Sequence, residues 1–536
     1  MLISMSFYPI KSTAQAHQLS QTKQNQRNSV SSMNTKNSVS SMDTTLVTQS
    51  PTVQSPTVQS PTVPSQTTPP QTDPPSETTL STESLSDKLA EIDAYLEAHA
   101  ETGRFSGTVL ITQGSNTGNS TDNQTPIITR SYHLANREHQ VTNTPTTKFR
   151  IGSVTKQFTA AAILQLQEKE LLDVQAPIST YLPDYPNGDQ LTIHHLLTHT
   201  AGIPEYLDPT VFPDLEEWLR LSSTVEQLVD RFKDLSLEFE PGEKFKYSNS
   251  GYVLLTQIIE TVSEQTYADY LQTNLFAPLD MESTGYEIPQ TVIPQMAQGY
   301  LFLGNDTYLQ SIPMDMSLPQ GAGGLYSTTA DLLKWTHWLH SEKTDTTLLS
   351  QESKAALMNP VVQMLPEESP GTFYGYGLVI DNHLGQKRVQ HNGGISGFAS
   401  SLSYYPDENL TIAVLSNLET APSGQIANDL AAIALNQPYE IPEQKEPIAL
   451  DPALYEKYIG NYQLLPEMQV EISVDNDQLI AQATGQDSFV LYPTSETEFF
   501  AQAVDITVTF SLTETGTVEG FTLTQMGQEL FAPKID

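Results

Sequence analysis

The sequence predicts an α/β domain whose early and late strands share one sheet around a helical middle, followed by a small all-β, barrel-like domain. Three observations carry this. Strand-like runs occur at residues 105–112 and 126–134 and then not until 375–381, 386–391, 399–405 and 411–416, with helix-spaced apolar residues between them. Strands segregated to both ends of a helical region imply that the two ends meet in one sheet. Within the middle, Phe158, Ala161, Ala162, Ile163, Leu164 and Leu166 make one segment apolar nearly all round, the pattern of a buried helix. After a Pro/Glu-rich link at 441–447, the chain changes to short alternating runs at 469–474, 478–483, 488–492, 499–503, 506–511 and 520–526, punctuated by Asn, Asp and Gly turns.

The chain has 536 residues, room for several domains, and a formal net charge of −38. Such a surface repels phosphate backbones and anionic membranes, which argues against a nucleic-acid partner. There is no cysteine. Disulfides, thiolate metal sites, a Cys nucleophile and a lipid-modified N-terminal cysteine are therefore excluded. No apolar run approaches the roughly 20 residues of a membrane span.

Residues 1–10 are mildly apolar and precede Ala14-Gln15-Ala16, a small-residue cleavage pattern without the usual preceding basic residue. A weak export signal and an unstructured cytoplasmic start fit them equally. From about 20 to 84 the chain is Ser, Thr, Gln, Asn and Pro, with Pro51-Thr52-Val53-Gln54-Ser55 recurring at Pro56 and, altered, at Pro61. Too little apolar surface is present to offset backbone entropy, so this reads as a disordered, semi-rigid spacer of the kind suited to a cell-surface protein. The organisation expected is a signal-like start and stalk at 1–84, the α/β domain at 85–440, a linker at 441–447 and the all-β domain at 448–536. A structural or lid-like role is expected for the last.

Order is expected from Ser86, which can cap a helix with Leu89, Ile92 and Leu96 inward and Gly103 closing it. A hairpin follows, with a polar loop reaching Gln124. Further helices are expected from Ser153, at 193–199, at 224–235, at 251–262, and after Gly321-Ala322-Gly323-Gly324, where Trp335 and Trp338 lie.

Candidate chemistry begins at Ser153-Val154-Thr155-Lys156. At this spacing on a helix, a hydroxyl and an amine share one face, and a lysine desolvated among apolar residues can lose its charge and take the serine proton. The motif alone is weak. Ser20-Gln21-Thr22-Lys23 has the same spacing in a segment that could desolvate nothing. Two further foci are Tyr247-Ser248-Asn249 and His391-Asn392-Gly393-Gly394. Taken singly, Tyr247 reads as a boundary aromatic and Asn249 as a helix cap. His194, His195 and His199 include a zinc-like i,i+4 spacing, but no carboxylate lies among them, and no metal is assigned. Gly394-Ile395-Ser396-Gly397-Phe398 nearly spells a nucleophile elbow but ends in Phe and lacks a βα setting.

In order, and with their flanks Lys148-Phe149-Arg150-Ile151-Gly152, Leu196-Leu197-Thr198-His199-Thr200-Ala201-Gly202-Ile203-Pro204 and Gly321-Ala322-Gly323-Gly324-Leu325, the three foci resemble the serine β-lactamase and penicillin-binding protein family. The likeness, strongest to class C β-lactamases and related DD-carboxypeptidases and esterases, covers about Leu85 to Asn436. It implies a β-lactamase/transpeptidase-like fold, no cofactor, and a serine hydrolase working through an acyl-enzyme on a D-residue peptide, ester or β-lactam. A non-catalytic penicillin- or peptidoglycan-binding surface protein or sensor is the alternative. The resemblance makes Ser153 the nucleophile, with Lys156 keeping its hydroxyl deprotonatable. Tyr247, partly a phenolate, is the expected partner base, and Asn249 a ligand of Lys156 and of the substrate amide. The family pattern puts the oxyanion hole at the backbone N–H groups of Ser153 and Gly394. His391 and Gly393 complete the substrate-binding set. His391 stands where true β-lactamases carry lysine, and an imidazole titrating near about 6.5 would hold a carboxylate weakly at neutral pH. A peptide, small-molecule or peptidoglycan substrate and an extracytoplasmic location follow as expectations.

Overall fold

The computed structural model describes residues 85–114, 127–341, 348–364, 370–466, 468–486, 488–504, 506–525 and 528–535. The expectations for 1–84 and for most of the loop reaching Gln124 lie outside these residues. Among the described residues no helix is long and apolar enough to cross a membrane.

The central sheet is antiparallel and eight-stranded. Its strands are β1 (Gly107–Gln113), β2 (Ile127–Tyr132), β3 (Val362–Gln363), β4 (Phe373–Tyr374), β5 (Val379–His383), β6 (Gln386–Ile395), β7 (Phe398–Tyr405) and β8 (Leu410–Ser416). They lie in the order β3-β4-β5-β6-β7-β8-β1-β2, so the first strands sit beside the last. This is the shared sheet that the segregation of strands implied. All seven residues of β8 and six of the seven in β1 are buried. A sheet covered on both faces asks for continuous rather than alternating apolarity, and the alternation read at 105–112 is accordingly not its burial pattern.

One face is covered by α1 (Leu89–Glu101) and α7 (Ser423–Ala434), with Ile92, Tyr95 and Leu96 packing with Ile111, Ile412, Val414, Ile426 and Leu430. The buried stripe of α1 begins at Ile92; Leu89 is 37 % exposed. Ser86 does not cap the helix, because a turn intervenes and Lys88 holds the cap position. The Lys88 ammonium instead binds the carbonyls of Ile433 (2.6 Å) and Ala434 (2.9 Å) at the end of α7.

The other face carries the helical region. It includes α2 (Lys156–Glu168), α3 (Ile193–Leu197), α4 (Val225–Phe232), α5 (Asn249–Ser263) and α6 (Thr329–His340), with Leu110, Ala413 and Leu415 of the sheet in the same core. Every residue of α2 from Lys156 to Leu166 is buried. A single-turn 3₁₀ helix, Gly152–Thr155, precedes α2, so Ser153 sits on that turn rather than on the α-helix itself.

The run at 375–381 divides. Tyr374 pairs with Val379 across a tight turn, which makes β4 and β5 a hairpin. β6 runs past 391 to Ile395, so the third focus lies inside a strand paired residue by residue with β7.

The C-terminal segment forms a second antiparallel sheet of β9 (Gly460–Leu465), β10 (Met468–Asp475), β11 (Gln478–Ala483), β12 (Phe489–Pro493), β13 (Glu498–Ala501), β14 (Thr507–Leu512), β15 (Val518–Gln525) and β16 (Gln528–Pro533), in sequence order. Tyr462 on β9 bridges Lys534 just after β16, which closes the sheet. Tyr458, Tyr462, Phe499, Phe510 and Phe521 fill its interior, with Tyr458 stacked 4.1 Å from Phe510.

Position 393 sets how closely β6 approaches the turn bearing Ser153. A Cβ there would lie 2.0 Å from the Ile151 carbonyl oxygen and 2.4 Å from the Ser400 hydroxyl. Gly393→Ala should therefore force the strand outward and destabilise the domain by about 1–3 kcal/mol, the usual cost of overpacking. Thermal unfolding monitored by tyrosine and tryptophan fluorescence would read it, and an unchanged Tm would mean that the strand can shift freely.

Candidate active site

Ser153 lies where the 3₁₀ turn meets β6. The preceding Gly152 has φ +49°, and a Cβ on it would fall 2.9 Å from the Gly394 nitrogen and 2.8 Å from its oxygen. Only glycine allows both the left-handed backbone and this approach. The backbones at Ser153 and Gly394 are thereby brought side by side, and a Cβ on Gly394 would face open space. The Ser400 hydroxyl on β7 donates to the Ile151 carbonyl (2.8 Å) and fixes the turn from behind.

Lys156 is fully buried. Its Nζ lies 3.0 Å from Ser153 Oγ, 2.8 Å from Asn249 Oδ1 and 2.8 Å from the Ala322 carbonyl. Asn249 opens α5, and Ala322 sits in the short helical turn Gln320–Gly323. Burial pulls the lysine down to about 7, with the charge of Glu205 opposing the fall. Two of its neighbours, the Asn249 and Ala322 oxygens, can only accept. In the neutral amine both remaining protons are taken by them, and the lone pair faces Ser153 Oγ.

Tyr247 donates its phenolic proton to Ser153 Oγ over 2.9 Å. Burial raises its pKa, the bond to Ser153 counteracts, and Glu205 adds to the rise. The expected phenolate is thus corrected: Tyr247 is a proton donor, and the group poised near neutrality is Lys156. Asn249 spends its side chain on Lys156, not on capping α5. The cap is Glu205, which accepts from the Asn249 N–H (2.5 Å) and the Leu207 N–H (3.0 Å). Ser250 stitches the same loop to α5, accepting from the Tyr206 N–H (2.9 Å) and donating to the Pro204 carbonyl (2.6 Å).

Behind Tyr247 stands an aromatic wall. His199 packs 4.2 Å from it, and Tyr374 packs 4.7 Å from His199. The His199 Nδ1 accepts from the Ser248 N–H (3.2 Å), and burial keeps the ring neutral. His194 bonds the Tyr376 hydroxyl (2.8 Å), and His195 closes a capping box with Thr192 on α3.

His391 is buried on β6. Its Nδ1 is 2.6 Å from the Asn392 carbonyl, which can only accept, so that nitrogen carries the proton. Nε2 lies 3.1 Å from the Tyr374 hydroxyl and, in the neutral ring, accepts from it. Burial, reinforced by Lys156, pulls the ring down to about 3. The expectation of an imidazole titrating near neutrality is therefore corrected, and both ring nitrogens are engaged within the protein.

The structure brings together Ser153, Lys156, Tyr247 and Asn249 through direct hydrogen bonds, and lays Gly393 and Gly394 against the turn that carries Ser153. The sequence reading missed Glu205 and Tyr374. Glu205 directly follows the matched string ending at Pro204, a carboxylate ahead of the apolar Tyr206-Leu207, and that is the only trace it leaves. Tyr374 sits in a two-residue strand too short to show a pattern.

Residues 120–436 match the sequence model of the family described as Beta-lactamase, and residues 444–533 match one described as a domain of unknown function (DUF3471). The chain is 31 % identical over 463 residues to "Penicillin-binding protein 4*" of Bacillus subtilis, a match spanning 83 % of this chain and 98 % of that one. It is 30 % identical over 357 residues to the "Putative penicillin-binding protein PbpX" of the same organism, covering 66 % and 79 % respectively. Among solved structures, the octameric penicillin-binding protein homologue from Pyrococcus abyssi superposes with a TM-score of 0.56 at 27 % identity, over 83 % of this chain and 99 % of that one.

The engaged imidazole makes a direct prediction. ¹⁵N spectra of His391 should show the Nδ1–H tautomer and no titration between pH 5 and 8, since the ring binds a second proton only near pH 3. A midpoint above pH 5 would contradict the hydrogen bonding described.

Proposed function

The chain belongs to the serine β-lactamase and penicillin-binding protein family, and from that premise we propose that it is a hydrolase acylated at Ser153 by an ester or amide carbonyl and deacylated by water. The observation that carries this reading is the Lys156 amine, held 3.0 Å from Ser153 Oγ by the Asn249 and Ala322 oxygens and pulled to about 7 by burial. In acylation, Ser153 Oγ bonds to the carbonyl carbon as its proton passes to Lys156. Negative charge grows on the carbonyl oxygen between the Ser153 and Gly394 N–H groups. Tyr247 donates to the leaving group, and the proton held by Lys156 makes good the loss. Water then attacks the acyl-enzyme by the reverse exchange of protons. Asn249 orients Lys156 through its amide oxygen, and its side chain is itself hydrogen-bonded to Glu205.

The substrate we favour has no free carboxylate beside the scissile bond. His391 gives both nitrogens to protein partners and stays neutral, so it supplies no charge where a lysine would. Its part is to shape β6, while Gly393 and Gly394 offer backbone to the substrate. Esters and amides, including those of D-residues, therefore fit better than β-lactams or peptides ending in a carboxylate. The filled interior of the C-terminal barrel supports a structural role for residues 448–536. An extracytoplasmic location agrees with the penicillin-binding names of the relatives.

A fluorescent phosphonate or penicillin and a panel of nitrophenyl esters test this. Ser153→Ala should lose labelling and turnover without unfolding, and Lys156→Ala and Tyr247→Phe should each lose about 10²- to 10⁴-fold in acylation. The kcat/KM should rise with pH through about 7 to a plateau, because only the neutral Lys156 accepts the proton. The ratio for matched acid and methyl-ester substrates should stay flat from pH 5.5 to 8. Turnover surviving in Ser153→Ala would sink the assignment, and labelling that never turns over would favour a sensor.

A further inference from the structure

Glu205 belongs to none of the three motifs, yet it touches the machinery from beneath. One oxygen accepts the Asn249 N–H at 2.5 Å and the other the Leu207 N–H at 3.0 Å, with Asn249 in turn 2.8 Å from Lys156 through its side chain. Ser250 holds the same loop on α5 through Tyr206 and Pro204. The carboxylate therefore lies at the helix start and one residue away from the lysine.

Consider what else faces Lys156. From its own turn comes Ser153, from α5 come Asn249 and the Tyr252 ring, 5.3 Å from Nζ, and from the loop before α5 comes the Tyr247 ring at 4.7 Å. The Gln320–Gly323 turn gives a carbonyl. Lys156 in turn lowers His199 beyond α3 and His391 on β6, and burial, the larger cause, holds both neutral. Tyr247 and Tyr252 are held protonated by the same burial. Among the described residues, Glu205 is the carboxylate whose charge reaches Lys156.

Resting on the hydrolase reading above, we propose that Glu205 is a positioning residue for acylation. It ties down the start of α5 so that Asn249 is aimed at Lys156, and its charge sets how readily that lysine holds a proton. A catalytic base works best with its proton affinity matched to the working pH. Without Glu205, the lysine would be desolvated with no compensating charge and would be a weaker base.

Glu205→Gln keeps the shape and removes the charge. In the full-length protein, the ¹³Cε resonance of Lys156 would be titrated in wild type and in the variant, alongside the acid limb of kcat/KM for a nitrophenyl ester. The midpoint and the limb should move together toward lower pH by about one pH unit, as expected for losing an opposite charge that acts on the lysine. The plateau rate should fall as well. If the glutamine variant does not fold, Glu205→Asp, which withdraws the same charge from the helix start, should shift the midpoint in the same direction by less. An unmoved midpoint in the folded variant would overturn the proposal and leave Glu205 a helix cap. A higher KM confined to substrates with a free ammonium group, with the limb in place, would overturn it in favour of a substrate contact. The titration needs no turnover: a shifted midpoint in a chain that hydrolyses nothing would refute the hydrolase reading alone, with the coupling of Glu205 to Lys156 intact.

Discussion

The structure around the candidate site depends on keeping one amine away from water. Lys156 starts a helix buried from its first residue through Leu166, and an ammonium or amine placed there must find every hydrogen-bond partner inside the protein. The partners come from three separate stretches: the Ser153 turn, the first residue of α5 and the turn at Gln320–Gly323. Those stretches are also bound to one another. The Thr159 hydroxyl on α2 donates to the Gly321 carbonyl (2.7 Å), and the Gly321 N–H donates to Thr256 on α5 (2.9 Å). The satisfaction of one side chain thus fixes the relative positions of two helices and a glycine-rich turn far apart in sequence.

The same exclusion of water decides the charge state of everything nearby. His199, His391, Tyr247, Tyr252 and Tyr374 are each driven toward their neutral forms by burial. Burial raises the Glu205 carboxyl as well, but the Asn249 and Leu207 N–H groups and Lys156 favour its charged form, and with few competing charges its interaction with Lys156 is weakly screened. It also divides the labour between the two groups on Ser153. In the reading proposed above, the phenol pushed upward would give a proton and the amine pulled downward would take one, so environments that move two pKa values apart would assign donor and base at similar distances from Ser153.

How much of this could be read in advance follows from the range of the interactions. The shared sheet and the helical middle were legible because periodicity is a local property, and Ser153, Lys156, Tyr247 and Asn249 because they sit in short strings of fixed spacing. Their mutual contact was carried by the resemblance. What escaped was set by tertiary burial. The low proton affinity of His391 and the high one of Tyr247 come first from burial, with Lys156 adding to the one and Glu205 to the other, and the Tyr374 and Glu205 that help build this site lie in a two-residue strand and in a loop. The first and last barrel strands were missed for a related reason. Gly460–Leu465 contains a register shift at Gln463/Leu465, and Gln528–Pro533 ends in proline, so neither presents a clean alternation, and each is defined by its pairing across the closure.

The amine also has a thermodynamic signature that separates chemistry from architecture. Its value in the folded chain, about 7, lies below the 10.5 of an exposed lysine, and burial is the leading cause. Below pH 7 both states carry the proton, and the folded one bears the full disadvantage of a buried charge. From pH 7 to 10.5 the unfolded chain binds more protons, so stability rises with pH across that window, and above it the disadvantage is gone. At 1.36 kcal/mol per pH unit the disadvantage is about 5 kcal/mol, comparable to the whole net stability of a small domain. An apolar side chain of similar length would spare the fold this and still fill the helix face. A lysine held there, hydrogen-bonded to Ser153, Asn249 and Ala322 and acted on by Glu205, gives the fold nothing that an apolar residue would not, which agrees with the proton exchange with Ser153 proposed above.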